Sequence, residues 1–141
     1  MTDLLDQAIA NAGLALLTAD ASLVVFDGAV PNPTPSPPYC VVYTTVTRPR
    51  DNVNNALDGR SRTWAARWIV TAVGGNAIAV RAVRERVRTQ LLDVRPTIAG
   101  FTAPAVGPIE MEDGSQPPQR AETTGVLVME ATDTYRLTAT N

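Results

Sequence analysis

The sequence has no histidine, no lysine and a single cysteine, Cys40. Without histidine, the commonest general base at neutral pH is missing, and neither a Ser-His-Asp triad nor a Cys-His pair can be assembled. Without lysine there is neither Schiff-base chemistry nor a phosphate-loop lysine. One cysteine makes no intrachain disulfide and no cysteine-based metal cluster. Cys40 lies in the apolar run Cys40-Val41-Val42-Tyr43, which reads as a small buried hydrophobe. The expectation is a protein that is not an enzyme and carries no cofactor.

Other features are scarce as well. No apolar run approaches the roughly 20 residues that span a bilayer, so no membrane partner is expected. The first residues carry Asp3 and Asp6 and no basic segment, unlike a signal peptide, so synthesis in a cytoplasm is expected. The net charge of −2 provides no global field for nucleic acid. All twelve basic residues are arginine, a count that a GC-rich coding bias explains.

What is present is ordinary globular material: 141 residues, 45% hydrophobic and 18% charged, enough for one domain (residues 1–141) with its own core. Helical spacing of Leu4, Leu5, Ala8, Ile9, Ala12 and Leu16 predicts a helix over 3–17, weakened by Gly13. Leu23–Phe26 is a short strand candidate. Five prolines within residues 31–38 form an extended spacer between apolar strands rather than a helix or inner strand. Tyr39–Val46 is rich in β-branched residues and predicts a strand.

Residues 47–62 form a long polar loop holding Arg48, Arg50, Arg60 and Arg62. It reads either as a solvated loop or as a contact for an acidic partner surface or passing DNA. The aromatic interleaving of stable nucleic-acid binding is absent.

Thr63–Val73 returns to strand, with Trp64, Ala66, Trp68, Val70 and Ala72 on one face. Gly74-Gly75 ends it, and Asn76 caps a helix over 77–92. Val80, Val83, Val87 and Leu91 form the apolar stripe of that helix, and Arg81, Glu85 and Arg88 an exposed one. Gly74-Gly75-Asn76 lacks the spacing of a nucleotide-binding turn.

Thr97–Ala103 is a weak strand, Ile109–Asp113 a short edge strand, and 114–119 a turn-rich loop. Gly125–Thr138 is a final strand expected to bulge at Thr132-Asp133. Glu110, Glu112 and Asp113 cluster carboxylates that could hold Mg²⁺ or Ca²⁺, but a solvated edge or electrostatic contact surface suits them better. The order α-β-β-β-α-β-β-β predicts an α+β fold: a two-layer sandwich, mostly antiparallel sheet with two helices packed on one face.

Three stretches together resemble the tail terminator family of long-tailed bacteriophages. Pro38-Tyr39-Cys40-Val41-Val42-Tyr43 is similar to the family's Pro-Tyr-Val-Val-Val-Tyr strand entry. Trp68-Ile69-Val70-Thr71-Ala72-Val73-Gly74 leads into a helix closing on Arg88-Thr89-Gln90-Leu91-Leu92, as in the family. The third is the closing strand around Asp133-Thr134-Tyr135-Arg136-Leu137. The proline-rich connector and the alanine-rich first helix depart from the family's usual look.

The resemblance implies a virion structural protein of the tail or neck, assembled in the bacterial host cytoplasm. It implies a homo-hexameric ring that caps the tail tube, ends its polymerisation and joins the tail to the head-side stopper or connector. DNA would only pass through its lumen. Arg48, Arg50, Arg60, Arg62, Glu110, Glu112 and Asp113 are the candidate contacts with subunit, tube or lumen. Competing readings are another phage neck or tail protein, such as a head–tail connector or tail tube subunit, and a small metal-dependent or binding module.

Overall fold

The computed structural model describes residues 2–31, 35–47, 63–98, 100–101, 106–112, 117–123 and 126–140. Helix α1 (Thr2–Thr18) is followed by strands β1 (Val25–Asp27), β2 (Tyr39–Thr47) and β3 (Thr63–Gly74), then helix α2 (Ala77–Leu91). Strands β4 (Glu110–Met111), β5 (Gln119–Thr123) and β6 (Val126–Thr140) complete the fold. The strand order is β1-β2-β3-β6-β4, with β5 also on β6. Every pairing is antiparallel except β1 with β2. Both helices pack on one face of the sheet, so the expected α+β two-layer sandwich is the observed architecture.

Side-chain alternation builds the core. Trp64, Ala66, Trp68, Val70 and Ala72 of β3 all face the helices and are buried. Cys40 and Val42 flank them on β2, and Ala131, Tyr135, Leu137 and Ala139 on β6. The stripe Val80, Val83, Val87 and Leu91 of α2 packs onto this row, each side chain worth roughly 1.5–3 kcal/mol on burial. The α2 start is capped as expected, with the Asn76 side chain accepting from the Ala79 N–H at 2.8 Å. Gly74 is required at the strand-to-helix turn, because a Cβ there would lie 2.8 Å from the Ala79 Cβ and from the Val80 nitrogen.

Three expectations need correction. Of the strand expected over Thr97–Ala103, the described residues 97–98 and 100–101 form none, and the rest lie outside the described residues; just before it, Asp93 N–H donates to the Ile109 carbonyl at 2.8 Å and Ile109 N–H to the Val94 carbonyl at 2.9 Å. That short clasp buries Ile98, Val106 and Ile109 beneath the helices, while Gly100 turns the chain at φ +92°. Strand β5 shares only Gln119 with the expected 114–119 loop and otherwise occupies residues for which no element was expected. Finally, β6 runs without a bulge, its register with β3 unbroken from Met129 to Thr140. Asp133 therefore stays in the helix-facing row.

Candidate interaction surface

The face of the sheet away from the helices carries a small apolar cluster at one end: Tyr39, Val41, Val73 and Val128, with Phe26 against it. The Phe26 and Tyr39 rings meet edge to face with centroids 5.5 Å apart. Burial, aided by the Glu130 carboxylate, pushes the Tyr39 hydroxyl pKa above its usual value. Beyond the cluster the face turns polar, and Thr71 and Thr132 share a 2.9 Å hydroxyl contact across β3 and β6.

The other end of this face is charged. The register sets Arg67 of β3 directly opposite Arg136 of β6, and Arg136 opposite Glu110 of β4. Two arginines side by side on one sheet face repel each other. Each is answered by a carboxylate: Arg136 reaches Glu110 at 3.2 Å, and the Arg67 Nε lies 2.8 Å from Glu112. The Glu112 N–H also donates to the Thr134 carbonyl at 2.8 Å, which fixes the segment that carries both glutamates. With side chains 57% and 55% exposed, the Arg136–Glu110 pair is worth at most about 1 kcal/mol. The pattern contributes charge placement more than stability.

Glu110 and Glu112 are thus brought together with arginines rather than with each other around a cation. Among the described residues no group of His, Cys, Asp and Glu side chains has metal-binding geometry. Asp113 and the loop residues Arg48, Arg50, Arg60 and Arg62 lie outside the described residues. Arg67 and Arg136 were missed as site residues. Their signal was their outward parity in two strands, readable only once the strands are known to be neighbours.

A second charged pair lies on the helix side. Arg84 of α2 grips Asp133 of β6 with two bonds, Nε to Oδ2 and Nη2 to Oδ1, both 2.9 Å. The side chains are only 10% and 5% exposed. Beside them the Tyr135 hydroxyl is buried against the guanidinium of Arg88, whose Nε is buried too. Arg88 thus leans over the sheet rather than standing on an exposed stripe. Burial, reinforced by Asp133 and partly offset by Arg88 and Arg84, pushes the Tyr135 pKa up to about 12. Burial alone raises the Cys40 thiol to about 11, so it is not poised as a thiolate. No helix among the described residues is long and apolar enough to cross a membrane.

These features define an α+β sheet clad by helices on one face, with a charged lattice on the other. No family model and no curated protein sequence matches the chain. Among solved structures, its fold is similar to that of a chain in the virion of the native gene transfer agent (GTA) particle. The two are 14% identical with a TM-score of 0.65, over 93% of each chain. A second solved structure, 13% identical, matches with a TM-score of 0.59 over all of this chain and 96% of its own. At such identities the likeness is one of fold.

Proposed function

We propose that this chain is a non-enzymatic structural protein of a phage or phage-like virion, and within that class a tail terminator. In this reading copies close into a hexameric ring that caps the tail tube, stops its growth and docks the head-side connector. DNA crosses its lumen in transit. The observation that carries the proposal is the fold likeness to a virion chain, which spans nearly the whole of both proteins. The three family-like stretches narrow it to the terminator, and the absence of histidine and lysine supports a role without catalysis.

The test is to mix purified protein with tail tube protein and image the product by negative stain. Single closed rings seated on tubes of limited length are expected. Long open-ended tubes built of this chain would make it a tube subunit instead. A monomer that leaves tube length unlimited would overturn the proposal. Reversing two loop charges, Arg48→Glu with Arg50→Glu, is expected to impair capping while the fold is kept. Calorimetric titration with Mg²⁺, Mn²⁺ and Ca²⁺ is expected to give no heat; saturable binding would favour the metal-dependent module.

A further inference from the structure

The two edges of the sheet are finished differently. On one edge, β1 meets β2 only from Cys40 to Val42. There the Cys40 N–H donates to the Val24 carbonyl at 2.9 Å, and the Val42 carbonyl accepts from the Gly28 N–H at 2.8 Å. Backbone groups alternate sides along a strand, so those of Thr44 and Val46 point the same way, beyond the end of β1. Among the described residues no strand meets them there. The run Tyr43-Thr44-Thr45-Val46-Thr47 holds no charge and no proline, the devices that normally protect an edge from pairing. The Thr44 hydroxyl is also buried there without a hydrogen-bond partner.

On the opposite edge, β6 is covered by β4, by β5 and by a bridge from Val106 to Ala139. Strand β5 is outermost, paired among the described residues with β6 alone. It has five residues, as many as the uncovered run of β2.

We propose that the outer edge of β2 from Tyr43 to Thr47 pairs antiparallel with β5 of a second copy of this chain, joining sheets head to tail. Direction favours this occupant. Strands β2, β3, β6 and β5 alternate in direction. A β5 brought alongside β2 by a copy in the same orientation continues that alternation unbroken. The two surfaces differ and lie on opposite edges of the sheet, a head-to-tail arrangement that gives a ring where the rotation closes and an open filament where it does not. With Thr45 opposite Ala121, Thr44 stands opposite Glu122 in the register.

Thr45 is level with Arg136 on β6 and Ala121 with Val128. That stagger is roughly 26 Å at about 3.3 Å per residue, so the strands tilt relative to the ring axis, as in any closed sheet. The inference rests on the ring-forming reading for closure, but the edge pairing is tested separately.

The test is disulfide trapping in the full chain. Ala121→Cys is combined in turn with Tyr43→Cys, Thr45→Cys and Thr47→Cys, which covers neighbouring registers; the native Cys40 is buried. Mild oxidation is expected to give a ladder of linked multimers from one of these double variants and none from the single variants. No ladder from any of them overturns the pairing. Linked dimers from Thr45→Cys alone would show β2 pairing with its own copy and also overturn it. Val46→Pro removes an N–H that points away from β3, so circular dichroism should be unchanged while native mass falls to the monomer. A folded Val46→Pro variant that keeps its assembly counts against the proposal. Tube-capping rings without a ladder would sink the edge pairing alone, and a ladder without capping would sink the terminator reading alone.

Discussion

The backbone of α1 at Gly13 lies flat against the indole of Trp68, so close that a Cβ at residue 13 would sit 2.8 Å from the ring's Cζ2 and collide with its other atoms. The Trp68 Nε1 points to the Ala10 carbonyl one turn earlier, at 3.4 Å. A glycine in mid-helix costs about 1 kcal/mol against alanine, yet here it admits the largest side chain of the core. Gly13→Ala, which would strengthen an isolated helix, is expected to destabilise the protein by about 1–3 kcal/mol through overpacking. Urea unfolding measures this, and a rise in midpoint would show that the helix and indole can separate at no cost.

The Arg84–Asp133 pair predicts a distinctive mutational pattern. Arg84→Met takes away the guanidinium that grips the buried Asp133 carboxylate, so it is expected to cost about 3–5 kcal/mol, and Asp133→Asn, which keeps an oxygen for Arg84, is expected to cost less. Replacing both, as Arg84→Met with Asp133→Leu, should recover most of that loss. A double variant no better than the sum of the singles would mean that the pair is not coupled.

Burial of Tyr135 predicts a loss of stability at alkaline pH. Its folded pKa of about 12 lies above the ordinary 10.0, so between those values the unfolded chain releases a proton that the folded chain keeps. Stability is then unaffected below about pH 10, falls from there to about pH 12, and loses roughly 2–3 kcal/mol in all. Cys40 adds a loss of the same sign from about pH 9 to 11. Tyr135→Phe deletes the buried hydroxyl together with its contact to Arg88, so it is expected to cost about 1 kcal/mol or less at neutral pH and to flatten the fall above pH 10. Denaturant titrations of both proteins from pH 8 to 12 test this; parallel curves would refute it.

The surface pairs should behave otherwise. Glu110→Gln and Glu112→Gln are each expected to change stability by less than about 1 kcal/mol, with the larger effect at half-buried Glu112. A loss well above that at Glu110 would mean the pair is shielded from water.

Local features were legible in the sequence. The stripe Val80, Val83, Val87 and Leu91, the Asn76 cap and the alternation through Trp64 and Trp68 are each set by residues a few places apart. Features that depend on distant partners were not. A bulge was expected at Thr132-Asp133, and nothing nearby in the sequence indicated that Arg84 would meet Asp133 instead. Arg67 and Arg136 became a site only through strand register. Strand β5, Gln119-Arg120-Ala121-Glu122-Thr123, has no apolar alternation to announce it. Ile98 and Phe101 are apolar enough to suggest a strand, but Pro96 and the left-handed Gly100 send them into a clasp instead.

The placement of β6 has a consequence for how the chain acquires its structure. This strand lies between β3 and the β4–β5 edge, pairing residues as distant as Gly74 with Met129 and Thr63 with Thr140. It is made after every element it joins. Until it arrives, the row bearing Trp64 and Trp68 lacks its inner neighbour, and the sheet is divided. Pairings of such long range slow folding and leave sticky intermediates exposed. Nascent chains should therefore depend on chaperones until β6 has emerged from the ribosome.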